Sequence, residues 1–146
     1  MSYPVSLNIY DLSNGMARTF SRQLVGRQID GIWHTGIVVY GREFYFGGGI
    51  SYDLPGHTPF GTWIVCVNQI LGPPTKTKEL GFTEIPEEMF MELLRDISDR
   101  YTERTYNVIS NNCNNFTDEV SMLLIGEGIP RDIVDLPKIF MNTPLG

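Results

Sequence analysis

The sequence predicts an α+β domain, a mainly antiparallel sheet packed with helices. Two patterns carry that expectation. In the first half of the chain apolar residues alternate with polar ones, the period of half-buried strands. In the second half they recur three, four and seven positions apart, the period of amphipathic helices. Strand patterns cluster early and helix patterns late, with no internal repeat, which argues against alternating βαβ units. With 146 residues, 42% of them hydrophobic and 19% charged, the chain suits one domain over residues 1–146 with a real core.

The elements read as follows. Val5, Leu7 and Ile9 alternate with Ser6, Asn8 and Tyr10, a strand, and Asn14-Gly15 turns the chain. Met16 to Val25 suits a short helix stopped by Gly26. Ile37–Tyr40 and Glu43–Phe46 are β-rich runs joined through Gly41-Arg42, a hairpin, and Gly47-Gly48-Gly49 ends the second. Residues 51–62 carry Pro55, Gly56, Pro59 and Gly61 and read as a loop, and Trp63–Val67 as a buried strand. From Pro86 onward Met89/Phe90, Leu93/Leu94, Ile97 and Tyr101 form a helical stripe, with Glu87-Glu88 complementing the dipole. A second helix runs from about Asn112 to Ile125, ended by Gly126, and a last short one lies between Pro130 and Pro137.

Charge narrows the function classes. Eleven Lys and Arg face 17 Asp and Glu, a net charge of −6, so the basic footprint of a nucleic-acid or anionic-membrane binder is missing. No apolar run approaches the ~20 residues of a membrane span. Two cysteines are too few for a disulfide scaffold, and MSYPVSLNIY has no secretory pattern, so we expect free thiols in the cytoplasm, the nucleus or both. On that route the sequon Asn115-Phe116-Thr117 would stay unmodified. The end at Leu145-Gly146 is abrupt, as in a trimmed chain.

Candidate chemistry is sparse enough to weigh one residue at a time. His34, His57, Cys66 and Cys113 fall nowhere in the close pairs that zinc ligands adopt, so we expect no metal and no cofactor. No G-x-S-x-G elbow occurs, and Gly47-Gly48-Gly49 lacks the pattern of a phosphate loop. Cys66 sits mid-strand in an apolar run and reads as inert, and His57 sits in the loop and reads as solvated. Cys113 differs: the polar stretch Ser110-Asn111-Asn112 delivers it to the first turn of a helix. Partial positive charge there draws a thiol toward thiolate, and free amides can receive an oxyanion. The same pattern equally suits a small buried residue opening the helix's apolar face with Phe116 and Val120. His34, in Ile32-Trp33-His34-Thr35-Gly36, stands at the mouth of a strand, where an imidazole can face a cleft or make a structural hydrogen bond.

Together these two segments resemble a known family. Gly31-Ile32-Trp33-His34-Thr35 running into Ile37–Tyr40, then Glu43 through Gly47-Gly48-Gly49-Ile50, is similar to the histidine half of the PPPDE superfamily. Asn112-Cys113-Asn114-Asn115-Phe116, followed by Glu119-Val120 and Ile129-Pro130, is similar to its cysteine half. Tyr3–Leu12 and the segment from Leu136-Pro137 to Gly146 extend the likeness over nearly the whole chain, within the branch of desumoylating isopeptidases of the first type. The resemblance implies a papain-like cysteine protease core in permuted order, histidine before cysteine. It implies Cys113 as nucleophile and His34 as general base and acid, in a dyad that cleaves SUMO, or a related ubiquitin-like modifier, from target lysines. Trp33, Phe46, Gly48 and Asn112 are expected along the groove for the modifier's tail, and a homodimer is implied, with Tyr52, Phe60 and Phe82 as loop aromatics available to an interface. Asn111 departs from the pattern, standing where close relatives carry histidine. A deubiquitinase or S-acyl thioesterase of the same fold, or a non-catalytic adaptor, would share these residues, because acyl specificity resides in groove shape.

Overall fold

Alternation in the first strand, β1 (Tyr3–Asp11), sorts Val5, Leu7 and Ile9 to one face and Asn8 and Tyr10 to the other. The computed structural model describes residues 1–13, 15–56 and 74–141. After β1 come α1 (Met16–Val25), β2 (Trp33–Val39), β3 (Arg42–Phe46), β4 (Ile50–Asp53) and β5 (Lys76–Thr83). The helical half follows: α2 (Glu87–Ile97) with a 3₁₀ turn at Ser98–Arg100, α3 (Cys113–Ile125), α4 (Arg131–Val134) and α5 (Leu136–Met141). The five strands form one sheet in the order β4-β3-β2-β1-β5, every pair antiparallel.

Helices cover one face of this sheet. Val5, Leu7, Ile9, Ile37, Val39, Phe44 and Phe46 pack there with Phe90 and Leu94 of α2 and Phe116, Val120 and Leu124 of α3. Phe44 meets Phe90 edge-on at 5.0 Å between ring centroids, and Tyr101 meets Phe116 at 5.2 Å, a geometry in which the ring quadrupoles attract. The helix ends obey the capping rules: Gly26 and Gly126 adopt left-handed φ of 79° and 76° and return their N–H groups to Arg22 and Met122.

Several boundaries differ from the sequence reading. β2 begins at Trp33, four residues before the apolar run, because β1 pairs with it as far as Asp11↔Trp33. The β2–β3 turn is Tyr40-Gly41 rather than Gly41-Arg42, with φ of 55° and 73°, as the primed hairpin turns require. Residues 51–53, expected at the start of a loop, belong to β4 (Ile50–Asp53), paired to β3 from Phe46↔Ile50 to Glu43↔Asp53. β5 was unexpected: it is an edge strand whose Lys76, Lys78 and Glu79 are solvated, so it lacks apolar alternation. The last helix is two, meeting at Asp135, and Pro137 lies inside α5 rather than bounding it; in a first turn its missing N–H costs nothing. The expected strand 63–67, with Cys66, and the loop residue His57 lie outside the described residues.

Candidate active site

Cys113 is the first residue of α3. Its position is set by a reciprocal capping box: Asn112 Oδ1 accepts the N–H groups of Asn114 (2.9 Å) and Asn115 (3.1 Å), and Asn115 Oδ1 accepts the Asn112 N–H (2.9 Å). Asn112 Nδ2 donates to the Val108 carbonyl at 2.8 Å, tying the cap to the preceding loop. Asn111 Nδ2 donates to the Arg100 and Thr105 carbonyls at 2.8 and 3.1 Å, so it serves that loop's conformation.

The start of β2 is stitched to this helix end. Asn114 Nδ2 donates to the Trp33 carbonyl at 2.9 Å, and the Thr35 hydroxyl donates to Asn114 Oδ1 at 2.7 Å and lies 2.6 Å from the Thr117 hydroxyl. The Cys113 thiol donates to Asn114 Oδ1 at 3.8 Å, and the Thr35 backbone and the Tyr106 hydroxyl lie where they favour its anion. The residues on both sides of His34 therefore touch the turn that carries Cys113. At its other end this part of β2 is held by Asp11, whose carboxylate accepts the N–H groups of Ser13, Gly15 and Ile32 at 2.9, 2.8 and 3.1 Å.

Electrostatics run against the expectation of a preformed thiolate. Burial pushes the Cys113 thiol up to about 11 from an ordinary 9.0, outweighing the hydrogen bonds that favour the anion. Burial also holds the His34 imidazole down at about 4, from 6.5. The residue is half-buried, but its Nε2 is closed off from solvent and has no hydrogen-bond partner. Both groups rest neutral: a thiol at Cys113 and an imidazole at His34. A neutral thiol attacks only if its proton moves during attack, not before it.

The remaining site expectations divide. Trp33 is half-buried, with Lys76 Nζ 5.0 Å from its ring centroid, a cation over an aromatic face. Gly48 is exposed in the bend between β3 and β4, with open space where a β-carbon would stand. Asn112 is a buried cap. Phe46, expected along a groove, has no accessible surface: it is core, packed on Tyr101, Tyr106 and Phe116, because strand alternation turns it to the helix side. Of the loop aromatics, Tyr52 lies in β4 and Phe82 in β5, the two edge strands, 47% and 69% exposed, and Phe60 is outside the described residues. Sequence reasoning missed Thr35, Asn114 and Tyr106. A signal existed for the first two, a polar residue at a core position of its strand and another at the buried start of a helix. Tyr106, in an irregular loop, carried none. Among the described residues no group of three His, Cys, Asp or Glu could hold a metal ion.

Comparison with known proteins gives a consistent result. The family described as "PPPDE putative peptidase domain" matches residues 3–146. Desumoylating isopeptidase 1 of Homo sapiens is 44% identical over 146 residues, spanning 99% of this chain and 80% of that protein. The protein of the same name in Rattus norvegicus is 43% identical over the same shares, and that of Xenopus laevis 40% identical over 97% of this chain and 79% of its own length. With the match running the length of the chain, through both the β2 start and the α3 cap, the chain belongs to the PPPDE peptidase family and is a hydrolytic enzyme of that family.

Proposed function

We propose that this chain is a thiol isopeptidase that releases SUMO, or a related ubiquitin-like modifier, from lysines of target proteins, using Cys113 as nucleophile and His34 as base and acid. On this reading the core is papain-like with its order permuted. The observation that supports it best is the lacing of Trp33 and Thr35 to Asn114, which brings the backbone on both sides of His34 against the turn that carries Cys113. The relatives, desumoylating isopeptidases by name, supply the substrate class.

The chemistry follows from the neutral resting pair. His34 takes the Cys113 proton as sulfur attacks the carbonyl carbon of the modifier's C-terminal glycine. The oxyanion that forms is received by the Cys113 N–H at the head of α3, where amides lack helical partners. The C–N bond then breaks, and the imidazolium hands its proton to the departing lysine amine. Water, deprotonated by His34, attacks the thioester, giving the modifier's free carboxylate and restoring the thiol. A free-thiol nucleophile suits the reducing cytoplasm or nucleus. A C₂ homodimer accords with the exposed aromatics Tyr52 and Phe82 on the sheet edges; a light-scattering mass of twice the 16.5 kDa chain would support it, and a fully active monomer would remove it.

The test is labelling with SUMO and ubiquitin probes that carry an electrophile in place of the C-terminal carboxylate. The SUMO probe is expected to label the wild-type chain, and not Cys113→Ser, with His34→Gln slowed strongly. Preferential ubiquitin labelling would make this a deubiquitinase, labelling of Cys113→Ser would move the nucleophile elsewhere, and no labelling at all would leave an adaptor.

A further inference from the structure

Across the sheet from the helices lies a carboxylate that the reaction above does not use. Glu43 has no accessible surface, yet four contacts reach its two oxygens. Oε1 accepts from Asn8 Nδ2 at 2.7 Å, the Tyr10 hydroxyl at 2.9 Å and the Gly56 N–H at 3.0 Å, and Oε2 lies 2.8 Å from the same Tyr10 hydroxyl. Asn8 is itself held, its Oδ1 accepting from Thr77 at 2.8 Å. Gly36 completes the pocket: a β-carbon there would stand 2.3 Å from Glu43 Oε2, so a glycine on β2 makes the space the carboxylate occupies.

A buried carboxylate is an expensive way to fill a protein interior. Its desolvation offsets most of what its hydrogen bonds return, and an apolar residue of similar volume often serves stability better. What the cluster does hold is Tyr10. That tyrosine is 3% exposed and is the direct cross-strand partner of His34, with its ring centroid 5.7 Å from the imidazole. On the other side Tyr45 meets the imidazole edge-on at 6.4 Å, and its hydroxyl donates to Asp53 at 2.7 Å. The imidazole thus sits between two phenol rings, each fixed at its far end by a carboxylate, while its own Nε2 has no hydrogen bond to orient it.

We propose that Glu43, acting through Tyr10, is a positioning residue for His34: the carboxylate pins the phenol, and the pinned ring sets the plane and rotamer of the imidazole. The inference rests on the reading of His34 as base and acid. Packing replaces the polar third member that orients the histidine of other thiol hydrolases. Misplacement of a base by a fraction of an ångström to an ångström is costly, since the proton must pass along one line in the transition state.

The experiment uses the full chain and a SUMO C-terminal fluorogenic amide. Tyr10→Phe keeps the ring and removes the hydroxyl that ties it to Glu43; Glu43→Gln replaces the carboxylate with an amide of the same size. For both, kcat is expected to fall between about tenfold and a hundredfold with KM unchanged. The His34 imidazole resonances, followed by NMR in a Cys113→Ser background, are expected to change their titration midpoint and broaden. A role confined to stability would lower the melting temperature and leave kcat and the ring resonances alone. Should Glu43→Gln fail to fold, Tyr10→Phe decides. Folded Tyr10→Phe with wild-type kcat and unaltered His34 resonances overturns the proposal. Full activity in His34→Gln overturns the base assignment instead, and is recognised separately because it leaves the ring's response to Tyr10→Phe readable.

Discussion

On the helix side of the sheet, β1, β2 and β3 present Val5, Leu7, Ile9, Ile37, Val39, Phe44 and Phe46; on the far side the same strands present Asn8, Tyr10, His34, Gly36, Glu43 and Tyr45. Both sets are largely buried, and their bonding differs in kind. The apolar face gains from area removed from water, which is non-directional and tolerates small shifts. The polar face gains only if each donor meets its acceptor, which makes it directional and intolerant of them. One sheet thereby separates two duties: the helix side supplies the free energy that keeps the strands together, and the far side fixes where a single imidazole points. Thr35 is the exception, a hydroxyl on the apolar face, and it lies where β2 meets the helix that carries Cys113.

Substitutions can sharpen or break this division. The largest effect is expected at the point both faces serve. Cys113→Ser conserves volume and replaces an ionisable thiol, so activity should fall by roughly 10³-fold or more while melting stays near wild type. Loss of both together would mean that the cysteine is a structural member of the helix face. Phe116→Ala, on the apolar side, should cost about 3–5 kcal/mol in denaturant titration, with residual activity in proportion to the folded fraction. Gly36→Ala drives a β-carbon into Glu43 and should cost about 1–3 kcal/mol, with a kcat loss that exceeds the stability loss. A kcat that simply tracks folding there would erase the distinction between the faces.

Two smaller effects follow. Folded His34 takes up its second proton only below about pH 4, whereas the unfolded chain's histidine does so below about 6.5. Between those values the unfolded state binds the extra proton, so stability falls as pH is lowered through that window. Melting temperature should drop there, and His34→Gln should flatten the slope; an unchanged slope would show that the imidazole is not desolvated. The raised Cys113 value works in the opposite sense, with stability lost as pH rises from about 9 to about 11. Smallest is the cap: Asn112→Ala should cost about 1 kcal/mol, read by thermal melting, with faster proteolysis near Val108 as the loop loses its tie.

The sequence alone determined α1, α3 and the start of α2 nearly to the residue, because a 3.6-residue stripe bounded by Gly26, Pro86 or Gly126 is local information, whereas the stripe running on to Tyr101 did not show that α2 ends at Ile97. It likewise put Cys113 at a helix start; its pairing with His34 is what the resemblance implies. Only the tertiary structure decided the rest. β4 and β5 are edge strands, solvated along much of their length, and their pairing partners rather than their own residues make them strands. The neutral state of the thiol and imidazole comes from burial, which is set by what packs around them and not by the helix end itself. Tyr10, Gly36 and Glu43 come from three strands, and nothing in their spacing says that one pins another. Hydrogen bonds between distant side chains exist only after the sheet has aligned its registers, and so the setting of the imidazole is a property of the fold.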